Sequence, residues 1–338
     1  VIRFRVIFAV FAAAFSCGSR DAWAADKPNI VIILADDLGN ADLGYRGSKI
    51  KTPNIDILAK GGVRLESYYG LPLCTPARAA LLTGRYPMRH GLQTLVIFPS
   101  HKYGLPADEK TLPQALKEIG YSTYMVGKWH LGHADKKYWP NSRGFDHFYG
   151  NVVGEVDYFT KDRGGVIDWQ RNGTFLKEDG YYTTQIGDEA VGLIEKHDKA
   201  KPMFLYEERE ASGGVALGST PPATNTPFTG GKGGLHEGGV RLPAIVNLPA
   251  KLQPAVVNEP LHHVDVMPTL LALAGGTGDP AKPFDGKDAM ATIGEGKPSP
   301  HEDKASDSEE VTGSLWVATL FPRERLTEQN AAADGGGM

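Results

Sequence analysis

In Asn29-Ile30-Val31-Ile32-Ile33-Leu34-Ala35-Asp36-Asp37 an unbroken apolar run, rich in β-branched side chains, ends abruptly in two carboxylates. Such a run suits a strand buried on both faces at the centre of a parallel sheet. Asp36 and Asp37 then fall at its carboxyl end, where open α/β sheets gather their ligand sites. Adjacent carboxylates repel, so one reading is a cation bound by hard oxygens, Ca²⁺ or Mg²⁺. The other is a solvated turn that caps a helix, and these residues alone leave both open.

Working outward, helix and strand patterns alternate. Thr52 to Gly61 has a capping Thr, a Pro in the first turn and a terminal Gly, which predicts a helix; Val63 to Tyr68 alternates like a strand. Leu112 to Ile119 and Thr183 to His197 read as helices, and Tyr121 to Val126, Met203 to Tyr206 and Arg241 to Val246 as strands. The expected fold is α/β, a mostly parallel sheet sandwiched by helices. With 338 residues, 41% of them hydrophobic, the chain can bury one large unit of this kind, with or without a small partner.

Leu73-Cys74-Thr75-Pro76-Ala77-Arg78-Ala79-Ala80-Leu81-Leu82-Thr83-Gly84-Arg85 predicts a short helix, with Pro76 in its opening turn and Gly84 just past its end. Cys74 then sits at the helix N-terminus, where partial positive charge collects, and Arg78 lies one turn on. The plain alternative for a lone cysteine is a small buried hydrophobe.

C-x-P-x-R followed by L-L-T-G-R resembles the signature of the formylglycine-dependent sulfatases, the arylsulfatase branch of the alkaline phosphatase superfamily. The resemblance implies an alkaline phosphatase-like fold and a Cys74 oxidised by a formylglycine-generating enzyme, with the aldehyde hydrate as nucleophile. It extends to Val31 to Gly39, whose Asp36 and Asp37 would bind Ca²⁺ (or Mg²⁺) together with position 74, and to Thr52 to Arg64. Gly127-Lys128-Trp129-His130-Leu131-Gly132 is similar to the second signature, which implies a sulfate-binding Lys128 and a His130 that assists proton transfer. Gly231-Lys232 through Glu237-Gly238-Gly239-Val240-Arg241 is similar to a third stretch, and gives Lys232 to the sulfate. Arg143 to Asp146 and the Asp265-Val266-Met267-Pro268-Thr269-Leu270 helix also fit; His262 and His263 read as the helix start, not as a metal site.

The pattern breaks after Tyr206. The family places an H-x-P stretch there and, further on, D-N-G-G, whose Asp and Asn complete the metal site. Here Glu207-Glu208-Arg209-Glu210-Ala211-Ser212-Gly213-Gly214 follows directly. Aligning the two glycines puts Ala211 and Ser212 at the ligand positions, and a segment near 207–212 is missing. One reading lets Glu207, Glu208 or Glu210 lend a carboxylate to the site; the favoured one is a solvated charge run. Beyond Phe284-Asp285-Gly286 the likeness fades, so the expected division is a catalytic domain over 25–275 and a degenerate, partly disordered C-terminal region over 276–338, with the family's small C-terminal domain partial or missing.

Residues 1–24 carry Arg3 and Arg5, an apolar run from Val6 to Phe15, and Ala22-Trp23-Ala24, which reads as a signal peptide and a secreted or periplasmic protein. A lipoprotein through Cys17 is the alternative. Cleavage would leave Cys74 as the single thiol in an oxidising compartment, a hazard that conversion to formylglycine removes. The formal charge of −4 argues against nucleic acid, and no later apolar run is long enough for stable membrane insertion. Three functions follow from the resemblance: hydrolysis of sulfate esters of sugars or aryl alcohols, a catalytically impaired homologue that binds sulfated glycans, or phosphate or phosphonate ester hydrolysis.

Overall fold

The computed structural model describes residues 27–210, 223–249 and 251–301, together with the backbone of 314–321. The signal peptide over 1–24, Cys17, Ala211, Ser212 and most of the charged stretch from Pro298 to Glu310 lie outside the described residues. The main elements in chain order are β1 (Asn29–Asp36), α1 (Pro53–Gly61), β2 (Val63–Tyr69), α2 (Cys74–Thr83), α3 (Leu112–Glu118), β3 (Ser122–Lys128) and β4 (His147–Asn151). They continue with α4 (Tyr182–Lys196), β5 (Met203–Glu210), β6 (Arg241–Asn247), α5 (Val266–Leu273) and β7 (Ser314–Phe321).

The large sheet runs β2, β6, β7, β1, β5, β3, β4, with short strands extending both edges. From β1 through β5 and β3 to β4 every pairing is parallel, while β7 lies antiparallel to β1. The predicted strand is therefore central, as its residues require. Because successive side chains on a strand point to opposite faces, Ile30, Ile32 and Leu34 pack with Leu81 and Leu82 of α2, Leu116 of α3 and Leu270 of α5. Val31 packs instead with Ile186 and Ala190 of α4, and Ile33 reaches both that cluster and the one around Ala59 of α1. Helices thus cover both faces of a mostly parallel sheet.

Local chemistry sets the helix ends. Gln114 accepts from the Thr111 backbone N–H at 3.0 Å in a capping box that starts α3. Gly84, at φ +66°, closes α2 by donating its N–H to the Ala80 carbonyl at 2.9 Å. No helix among the described residues is long and apolar enough to cross a membrane.

Two features depart from the sequence reading. The strand expected to end at Tyr206 continues to Glu210, and its first two carboxylates are buried rather than solvated, Glu208 completely. Each is paired with a cation: the partly exposed Arg209 for Glu207 and the buried Arg78 for Glu208. The second is β7, which carries the chain's late residues into the middle of the sheet, between β1 and β6.

His262 and His263 do begin a helical turn, and both are buried without charge. Burial holds each imidazole down at about 3, from 6.5. The unfolded chain therefore binds more protons between those values. Stability should be complete above about pH 6.5 and fall as the pH drops toward 3, by up to about 1.4 kcal/mol per pH unit for each histidine. Thermal melts from pH 7 to pH 4 check this. His263→Leu should flatten the slope without breaking a bond, since among the described residues neither ring nitrogen of His263 has a hydrogen-bond partner; an equal slope would show that His263 is not a titrating group.

Candidate active site

Four side chains from three distant segments meet at the carboxyl end of β1. Asp36 is the last residue of that strand and is 1% exposed. Its carboxylate accepts from Lys128 Nζ, from Arg78 Nη2 at 3.3 Å and from the Cys74 thiol at 3.5 Å, and Lys128 Nζ lies 3.5 Å from Cys74 Sγ. Lys128 reaches this point because it ends β3; Cys74 and Arg78 reach it because α2 begins there, its first turn packed over the sheet. Thr75 ties the arrangement to the next loop, donating to the His130 carbonyl at 2.8 Å and accepting from Ile97 N–H at 3.1 Å.

Charge sorts the roles. Burial would raise the Asp36 carboxyl, but Lys128, Arg78 and Lys232 outweigh it and hold the group ionised, well below the usual carboxylate range. Asp37 goes the other way, raised by burial and by Asp36, even though Lys232 Nζ sits 2.5 Å from its Oδ2. Cys74 is pushed up to about 11, first by burial and then by Asp36, against the pull of the nearby cations. The helix N-terminus therefore does not make it a thiolate. At neutral pH it is a buried thiol, 6% exposed, with little nucleophilic character.

His130 stands beside this group, and among the described residues its ring hydrogen-bonds to none of the four side chains. Its ring is buried and held neutral, well below its usual value, by burial and then by Lys128 and Arg78. Nε2 lies 3.2 Å from the Ile97 carbonyl. A carbonyl only accepts, so Nε2 carries the proton and Nδ1 keeps its lone pair, which has no hydrogen-bond partner among the described residues. The backbone is at φ +57°, and a Cβ on Gly154 would come within 2.4 Å of the ring, so the imidazole is fixed from both sides.

Whether these residues fit the expected calcium ion depends on the donors. Ca²⁺ takes six to eight hard oxygens. The described residues offer the carboxylates of Asp36 and Asp37, each already paired with an ammonium group. Cys74 presents a soft sulfur. No group of three His, Cys, Asp or Glu among the described residues is placed to hold a metal. The set falls short of a calcium cage.

For one residue of the acidic run the structure favours the alternative to a solvated charge. Glu208 accepts from Arg78 Nη2 at 2.6 Å and from the Lys128 backbone N–H at 2.8 Å. The signal lay in the alternation of β5: Phe204 and Tyr206 face the α2 side, so Glu208 is the next residue on that face.

A sequence model of the family described as Sulfatase matches residues 28–207. Arylsulfatase J of Mus musculus is 37% identical over 343 residues, a match covering 82% of this chain and 57% of that protein. N-acetylgalactosamine-6-sulfatase of Mus musculus is 31% identical, covering 82% of this chain and 68% of that protein. Among solved structures, Ps i-CgsB in complex with k-i-k-neocarrahexaose superposes with a TM-score of 0.75 at 30% identity, covering 82% of this chain and 78% of the other. The chain thus spans a little over half the length of the first of these relatives and about two thirds of the second.

Proposed function

The chain belongs to the sulfatase family, and from that premise we propose that it hydrolyses sulfate esters with a nucleophile made from Cys74. The observation that carries this reading is the convergence of Asp36, Cys74, Arg78 and Lys128 on one buried point. A protonated thiol cannot serve there, whereas an aldehyde hydrate at position 74 would supply two hydroxyls, one to take the sulfuryl group and one to expel it. A formylglycine-generating enzyme is then a required partner, and export through the segment 1–24 belongs to the same proposal.

The chain's own residues would do the rest. Lys128 and Lys232 meet the sulfuryl oxygens, and Arg78 adds its charge from below, so that negative charge developing on the leaving oxygen and the sulfate is met by fixed cations. Nδ1 of His130, which has no partner among the described residues, takes a proton from the position-74 hydroxyl. Asp36 holds Lys128 on station. A sulfated carbohydrate is the favoured substrate class, supported by the neocarrahexaose bound to Ps i-CgsB. A second reading, binding of a sulfated glycan without turnover, is favoured by Ala211 and Ser212 at the positions where the resemblance expects metal ligands.

Chain produced with and without the formylglycine-generating enzyme, and assayed on aryl sulfate and aryl phosphate, separates the readings. Turnover of the sulfate by converted protein alone is the expected result. Equal or greater turnover of the phosphate would make it a phosphoesterase, and no turnover of either, with sulfated glycan still retained, would leave the second reading. Added Ca²⁺ should leave the melting temperature unchanged, because two carboxylates already neutralised by lysines make a poor cage; a clear rise would show that the ion displaces the ammonium groups.

A further inference from the structure

We propose that Glu208 is a positioning residue for this site, one that fixes Arg78 and Lys128 relative to each other; the role rests on the sulfatase reading above. Its two oxygens serve two different elements. Oε1 takes Arg78 Nη2 of α2 at 2.6 Å, and Oε2 takes the backbone N–H of Lys128, at the end of β3, at 2.8 Å. Arg78 closes the circuit by donating Nη1 to the Lys128 carbonyl at 2.7 Å. The Glu208–Arg78 pair therefore claims both backbone polar groups of Lys128, and so fixes the point from which its ammonium reaches Asp36 and Cys74.

The pairing also divides labour among the carboxylates. Arg78 Nη2 is 2.6 Å from Glu208 but 3.3 Å from Asp36. Glu208 is thus the nearer partner of the guanidinium, while Asp36 shares it and also takes Lys128 and Cys74. The fit is tight: a Cβ on Gly127 would come within 2.1 Å of the Glu208 carbonyl, so β3 and β5 approach closely at the residue that precedes Lys128. A carboxylate on a buried strand face, 0% exposed, is costly unless fully bonded. Among the described residues, both partners of this carboxylate belong to the site.

Glu208→Gln keeps the shape and loses the charge, and should lower kcat/KM for aryl sulfate about 100-fold, mainly through kcat, because the cations are displaced from the transferring group. Glu208→Asp should recover part of the loss. Glu207→Gln is the control. Glu207 lies on the opposite face of β5, paired with Arg209 at 2.5 Å, so its loss should cost stability and leave kcat unchanged. Wild-type kcat in Glu208→Gln, measured well below its melting temperature, would overturn the proposal. A crystal structure of Glu208→Gln gives a readout that needs no turnover: Arg78 should leave the Lys128 carbonyl. Finding it still in place would overturn the positioning role even for an inactive wild type, whereas an inactive wild type with Arg78 displaced in the variant would count against the sulfatase reading alone.

Discussion

Cys74→Ala, produced alongside the formylglycine-generating enzyme, should lose sulfate ester turnover by about 10⁴-fold or more relative to converted wild type, the usual result of removing a nucleophile while its supporting groups remain. The substitution takes away one sulfur atom at the start of α2, where Cys74 makes only long contacts of 3.5 to 3.7 Å, so the fold should survive and a melting curve can confirm it. Cys74→Ser is the sharper probe. A serine hydroxyl can take the sulfuryl group once but has no second hydroxyl to expel it, so one equivalent of alcohol should be released before the reaction stops. Steady turnover in either variant would remove position 74 from the chemistry.

Arg78→Met should cost the most stability. Arg78 is 2% exposed and is the shared partner of Asp36 and Glu208, themselves 1% and 0% exposed. Removing it leaves two buried carboxylates short of a cation and the Lys128 carbonyl short of a donor, and breaking one side of a buried pair typically costs about 3–5 kcal/mol. Urea denaturation gives the figure. Arg78→Met combined with Glu208→Leu should recover part of the loss, because the second change removes the stranded charge. If the double variant is no more stable than the single, the two side chains do not act as a pair.

Much of this arrangement was legible in the chain. The apolar run into Asp36 marks a central strand with a site at its end, and Gly84 and the Pro76 turn delimit α2 well enough to put Cys74 at its first residue. Lys128 and His130 follow another apolar strand for the same reason. What stayed hidden depends on contacts between distant segments. Glu208 looks like one charge in an acidic run until β5 is known to pass beneath Arg78, 130 positions earlier in the chain. The thiol's protonation was equally out of reach: a helix N-terminus favours the thiolate, and only the burial of Cys74 beside an ionised Asp36 shows that the opposite effect wins. Ser314–Phe321 is apolar enough for a strand, but nothing local says that it slots between β1 and β6.

The seat of β1 also sets a timetable for synthesis. One of its neighbours is complete only at residue 210 and the other only at residue 321, so the first strand to leave the ribosome waits for partners that are among the last. At about 5–20 residues per second, translation leaves Cys74 uncovered for roughly ten seconds or longer. Under the proposed conversion of Cys74, that interval is when a maturation enzyme would reach a side chain that the finished protein shuts away.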